Sequence, residues 1–295
     1  MHKNQSLPNF LCAGAAKCGT TSLHAILAEH PQIFLPQRKE IHFFENNGNY
    51  SKGLDWYSKY FKNANEKKVI GEITADYMFF DYVPERIIEA LGKNIKIIFM
   101  LRNPVDRSYS EYLFNVRRGF FKGTFEEAIQ NEKKYDPNIF ENRYYVHIYR
   151  SMYSIHLSRM MKFFHRDNMK FILFEEDFVK NKERMFTDLF EFLEISYADL
   201  RLHQTFKPSY TPRIQWVQNL VYQPNIFKSM AKNLLPSYKI KTKIKDQLLP
   251  LFNCSKQEVE KIDASLKHKL IKDYFYEEIN KTQDLIKRDL SIWNS

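Results

Sequence analysis

The chain has 295 residues, is 44% hydrophobic, and carries a formal net charge of +10 from 45 Lys and Arg against 35 Asp and Glu. That size and apolar content suffice for one substantial core, and the basic excess suits anionic partners or simple solubility. Three cysteines, Cys12, Cys18 and Cys254, are odd in number and lack zinc-ligand spacing, which argues against a disulfide framework and a structural zinc site.

The start, Met1 to Pro8, is polar and does not read as a secretory signal. Phe10 to Ala13 is predicted as a buried strand, Ala15 to Thr21 as a loop, and Ser22 to Glu29 as a helix that Pro31 stops. A short apolar segment, Ile33 to Leu35, precedes the charged turn Gln37 to Glu40. Val69 to Ile73 is a strand candidate and Pro84 to Leu91 a helix with proline in its first turn. Ile95 to Leu101 is a strand, far too short to span a bilayer, and Pro104 opens another helix. Ile155 to Phe164 is an amphipathic helix, Lys170 to Phe174 a strand, Glu183 to Leu193 a helix, and Lys256 to Lys287 a Lys-rich helical extension. Strands alternating with helices predict an α/β fold: a central, mostly parallel sheet with helices on both faces. With eight glycines, no Pro/Gly/Ser-rich divider and no repeat, residues 1–295 are expected to form one domain. The expected setting is cytoplasmic, with no transmembrane segment and peripheral membrane contact left open.

Three segments carry chemistry. Gly14-Ala15-Ala16-Lys17-Cys18-Gly19-Thr20-Thr21-Ser22 lies between a predicted strand and a predicted helix. Backbone N–H groups at a helix start bind phosphate or sulfate oxygens, and Thr20, Thr21 and Ser22 can add hydroxyls. The lysine sits inside the loop rather than after the second glycine, so the nucleoside-triphosphate pattern is missed. The alternative is an ordinary strand-to-helix turn. Next, Arg102 ends a strand and Ser110 follows about two helical turns later, a fork and a hydroxyl able to grip one terminal phosphate. Finally, Lys39-Glu40-Ile41-His42-Phe43-Phe44-Glu45 groups two carboxylates and an imidazole among aromatics. An extended backbone would put Glu40 and His42 on one face, and an apolar setting suits Glu40 to act as a general base. The alternative is a surface turn with Phe43 and Phe44 plugging the core.

These segments resemble the PAPS-dependent sulfotransferase family, PAPS being 3′-phosphoadenosine 5′-phosphosulfate. The first is similar to its 5′-phosphosulfate loop, with a Lys-x-Gly-Thr-Thr core. The second is similar to its 3′-phosphate motif. The third resembles the Lys-Glu-x-His-Phe-Phe turn of the heparan-type carbohydrate enzymes, with Glu45 where relatives often have Asp. The resemblance continues through Asn49 to Tyr57, Gly71 to Tyr77, Ser151 to Tyr153, Phe171 to Phe178, Lys207 to Arg213 and Asp289 to Trp293.

The resemblance implies transfer of a sulfuryl group from PAPS to a hydroxyl or amine, with a glycan or glycolipid as the leading acceptor. Glu40 would take the acceptor proton and His42 would support it. Lys17, Cys18, Gly19, Thr20, Thr21 and Ser22 would cradle the phosphosulfate, with Lys17 meeting charge on the leaving oxygen. Arg102 and Ser110 would hold the 3′-phosphate, and Arg213 would fold over the donor. No metal is required and no nucleic-acid partner is expected. His147, His156, His165 and His203 read as surface or core residues. Two other readings are a phosphate-loop kinase and a non-catalytic binder of anionic glycans. The acceptor, the choice between O- and N-sulfation and the oligomeric state are not legible in the sequence.

Overall fold

The computed structural model describes residues 6–64, 67–200 and 261–294. At its centre is Phe10–Gly14 (β1), every residue of which is buried. β1 pairs in parallel with Val69–Ile73 (β3) on one side and Lys96–Leu101 (β4) on the other. Ile33–Phe34 (β2) and Met169–Leu173 (β5) form the edges, giving the order β2-β3-β1-β4-β5 with every pairing parallel. The near-continuous apolar runs of β1 and β4 follow from burial on both sides of the sheet.

The connecting helices are Thr20–Leu27 (α1), Asn47–Tyr50 (α2), Gly53–Ser58 (α3), Val83–Leu91 (α4), Pro104–Arg117 (α5), Phe125–Glu132 (α6), Tyr153–Met161 (α7) and Lys182–Phe192 (α8). Most predicted elements stand within a residue or two of their expected bounds. α1 starts two residues early, because Gly19, at φ 91°, turns the chain into the helix just before Thr20. α7 is shifted toward its N-terminus: Tyr153, Leu157 and Met160 form its buried stripe, while Ile155 is exposed. Asn103 caps α5 by accepting the N–H groups of Val105 and Asp106, and α6 begins with a Thr124–Glu127 capping box.

The predicted C-terminal extension is helical in its described part. It is not one rod: Ala264–Leu270 (α9) and Tyr276–Ile286 (α10) flank a π-helical turn at Ile271–Phe275. α10 packs on α7, where Glu278 accepts the Ser154 N–H and, at 2.7 Å, its hydroxyl proton. This supplies the N-terminus of α7 with the cap its own sequence lacks.

Gly71 shows how tightly β3 meets β1. It stands opposite Phe10, and a Cβ there would lie 2.1 Å from the Phe10 ring. Both residues are buried, so the ring has little room to yield. Gly71→Ala is expected to lower the unfolding free energy by about 1–3 kcal/mol, read as a lower urea midpoint. An unchanged midpoint would mean that the ring moves aside freely.

Candidate active site

The carboxyl ends of β1, β3 and β4 surround a cleft of about 470 Å³. The β1–α1 loop forms its floor through Ala16, Lys17, Gly19, Thr20 and Thr21. Gly19 is required there: its φ of 91° is left-handed, and a Cβ would stand 3.0 Å from the Phe174 ring. α1 has no side-chain cap, unlike α5 and α6. Its first-turn N–H groups have no intrahelical partner, a ready seat for an anion. The Lys17 ammonium lies over the Phe114 ring at 4.3 Å. Burial, with help from Arg117, lowers the Lys17 pKa to about 8.

The turn after β2 supplies the opposite wall with Lys39, Glu40 and His42. It is not extended: Glu40 and His42 have φ of 61° and 56°. Both side chains nonetheless line the one cleft. Nor is the Glu40 carboxylate in an apolar setting. One oxygen pairs with the Lys39 ammonium, and the other accepts the Ala75 N–H at 3.0 Å. His42 Nδ1 meets Glu45 Oε1 at 2.5 Å. Burial pulls the imidazole pKa down, but the Glu45 hydrogen bond and charge, with Asp76 behind them, outweigh it and raise the pKa. Glu45 is fully buried, and that burial pushes its own pKa up.

The third wall is one face of α5: Ser110, Glu111, Phe114 and Asn115, continued by Arg118. Arg143 and Arg150 close the end, where Arg150 bridges Asp76 and, at 2.7 Å, Glu111. Arg143 approaches Asp76 at 3.7 Å. Burial alone would raise the Asp76 pKa, but Arg150, His42 and Arg143 hold it below the usual carboxylate range. His42, Glu45 and Asp76 bring ligand-type atoms within 4.8 Å of one another, a cluster that chain spacing had hidden. Two guanidinium groups on Asp76 put positive charge where a cation would sit.

The structure thus gathers Lys17, Gly19, Thr20, Thr21, Glu40, His42 and Ser110 around one cleft. Cys18 and Ser22 are not in its lining; the Cys18 thiol is buried instead against the Ala16 carbonyl and the Tyr153 hydroxyl. Arg102 lies behind the loop rather than in the lining. Its guanidinium donates to the Lys17 carbonyl at 3.4 Å, lies 5.1 Å from the Phe174 ring and comes within 3.9 Å of Glu175. Arg213 and the 207–213 loop, with Cys254 and His203, fall outside the described residues. His147 and His156 are core residues whose pKa values burial depresses to about 4 and about 3, and His165 is at the surface. Sequence reasoning missed Asp76, Glu111, Arg118, Arg143 and Arg150. Asp76, Glu111 and Arg150 adjoin Tyr77, Ser110 and Ser151, which the resemblance and the phosphate reading had marked; Arg118 and Arg143 carried no such signal.

The sulfotransferase domain model matches residues 7–273. The chain belongs to the sulfotransferase domain family. Among curated sulfotransferases, the membrane-associated sulfotransferase kil1 of Dictyostelium discoideum is 41% identical over 114 residues, which is 38% of this chain and 24% of that protein. The human heparan sulfate glucosamine 3-O-sulfotransferase 5 is 35% identical over 108 residues, 37% of this chain and 31% of that protein. The chain's matches therefore span less than a third of these relatives. The crystal structure of a sulfotransferase from Alicyclobacillus acidocaldarius superposes with a TM-score of 0.69 at 25% identity, covering 98% of this chain and 100% of that one. Among the described residues no helix is long and apolar enough to cross a membrane.

Proposed function

We propose that the protein transfers a sulfuryl group from PAPS to a hydroxyl or amine of a carbohydrate or glycolipid, and that residues 1–295 act as one sulfotransferase domain. The observation that carries this reading is the single cleft joining an uncapped helix start and Lys17 to Glu40 and His42. The heparan sulfate activity named for relatives supports a carbohydrate acceptor.

In this reading the phosphosulfate lies on the N–H groups and hydroxyls of Gly19, Thr20 and Thr21. Glu40 takes the proton of the acceptor. The acceptor oxygen or nitrogen attacks sulfur as the bond from sulfur to the bridging phosphate oxygen breaks. Adenosine 3′,5′-bisphosphate leaves with that electron pair, and Lys17 meets the new charge. His42, held by Glu45, supports Glu40. Ser110 faces the cleft and contacts the 3′-phosphate, while Arg102 contributes positive charge from behind the loop and reaches that phosphate by turning from Glu175. Charge is neutralised by side chains throughout, so the scheme needs no metal. Cys12 and Cys18 are unpaired and buried, which suits the cytoplasmic setting we assign to it.

Adenosine 3′,5′-bisphosphate is expected to stabilise the fold by about 2.7 kcal/mol at a hundredfold excess over its dissociation constant. A melting scan reads this as a rise larger than that given by AMP. Equal rises would remove the 3′-phosphate role from Arg102 and Ser110. Rates with ATP as donor separate the scheme from a kinase.

A further inference from the structure

The turn that carries Glu40 and His42 is costly to hold. Both residues have left-handed φ angles, at 61° and 56°, and neither is glycine. Each such residue costs on the order of 1–2 kcal/mol, so neighbouring structure must impose the conformation.

The support comes from the end of β3 and the residues just beyond it. The Glu40 N–H donates to the Ile73 carbonyl at 3.1 Å. The Ile41 N–H donates to Thr74 Oγ1 at 3.1 Å. The Phe43 N–H donates to the Tyr77 phenol oxygen at 3.3 Å. Two of these three acceptors are hydroxyls, and a hydroxyl can also donate. What makes them acceptors here is Glu72. One of its carboxylate oxygens receives the Thr74 proton at 2.6 Å and the Tyr77 proton at 2.7 Å. The other receives the Tyr57 proton. With its single proton committed to Glu72, each hydroxyl can offer the turn only a lone pair.

Glu72 itself is 1% exposed and is not in the cleft lining. Burial raises its pKa to about 7, against the pull of Thr74, Tyr57 and Tyr77. A carboxylate in the middle of a buried parallel strand is expensive unless its hydrogen bonds are made. Its partners all belong to the layer beneath the 40–43 turn.

We propose that Glu72 is a positioning residue for sulfuryl transfer: through Thr74 and Tyr77 it fixes the direction of the hydrogen bonds that hold the Glu40–His42 turn against the acceptor. The inference rests on Glu40 being the base. It assigns Glu72 no contact with either substrate.

Tyr77→Phe and Thr74→Val each remove one hydroxyl with little change of volume. Each is expected to lower kcat about ten- to a hundredfold, the scale of a small misplacement of reacting groups. The donor KM and the affinity for adenosine 3′,5′-bisphosphate should stay within about twofold of wild type, because the β1–α1 loop makes none of these hydrogen bonds. Glu72→Leu should lose at least as much turnover. Glu72→Gln should recover most of it, since an amide oxygen can still receive both protons while its NH₂ faces the Tyr57 oxygen. Two folded proteins, Tyr77→Phe and Thr74→Val, with wild-type kcat would overturn the proposal. So would losses shared equally by kcat and nucleotide affinity, as general loosening would give, or a Glu72→Gln protein no better than Glu72→Leu. Glu40→Gln is assayed beside them. If it is fully active, the base reading fails; if it is inactive while the hydroxyl variants are normal, only the role of Glu72 fails.

Discussion

Glu40→Gln is expected to reduce sulfuryl transfer by about a hundred to ten thousand fold, the usual cost of losing a general base. Nucleotide affinity should hardly change. The amide is nearly isosteric, and its oxygen can still accept the Ala75 N–H that the carboxylate accepts at 3.0 Å. The Glu40 N–H keeps its bond to Ile73, so the turn keeps its path. What disappears is the ability to take a proton, together with the Lys39 ion pair on the other oxygen. Calorimetry with adenosine 3′,5′-bisphosphate should therefore match wild type while the transfer assay collapses. His42→Ala should cost less, since its proposed role is to support Glu40. A fully active Glu40→Gln protein would move suspicion to His42, whose imidazole is already poised by Glu45.

Lys17→Ala should lower turnover by about two to three orders of magnitude, the scale of losing one preorganised charge at a developing anion. Arg102→Ala should act more on the donor KM, because in the proposed scheme its guanidinium holds the bound ground state. Lys17 also carries a pH signature. Burial and the nearby Arg117 lower its pKa to about 8 in the free protein, and an anionic ligand would draw the proton back. Affinity for adenosine 3′,5′-bisphosphate is thus fully developed below pH 8 and declines as the pH rises through that value. The decline approaches about tenfold per pH unit, the limit for one proton taken up on binding. Lys17→Ala should bind weakly with no such decline. Normal turnover in that variant, or an unchanged pH slope, would sink the assignment of the loop.

Much of the sheet was legible because buried parallel strands leave apolar runs between turn residues, as in Phe10–Gly14 and Lys96–Leu101. The β1–α1 side of the cleft was legible for a similar reason: Lys17, Gly19, Thr20 and Thr21 are nearly consecutive, so local order and their order along the cleft coincide. Glu40 and His42 do line one cleft, but not through the extended backbone expected of them. Their shared face comes from two left-handed residues, which nothing in Lys-Glu-Ile-His-Phe announces. The arginine end of the cleft was not legible. Asp76, Glu111, Arg143 and Arg150 come from four separate segments, and only the fold brings their charges together. Glu72 was visible as a letter in a resembling stretch, but its three hydroxyl partners lie on both sides of it and as far away as Tyr57.

β1 is the first of the described strands and the middle strand in the sheet, with parallel partners at Val69–Ile73 and Lys96–Leu101. The loop that follows it leans on the far partner, where the Ala15 N–H donates to the Met100 carbonyl at 2.7 Å. During synthesis, the ribosome must add the residues from Gly14 to Leu101 before that loop has a sheet to rest on. At about 5–20 residues per second this takes roughly 4–17 seconds, with an apolar strand exposed meanwhile. Long-range parallel pairing also closes slowly once its parts exist. The earliest part of the cleft to be made is therefore among the last to take shape, and the nascent chain passes through a stage in which an apolar strand waits for neighbours.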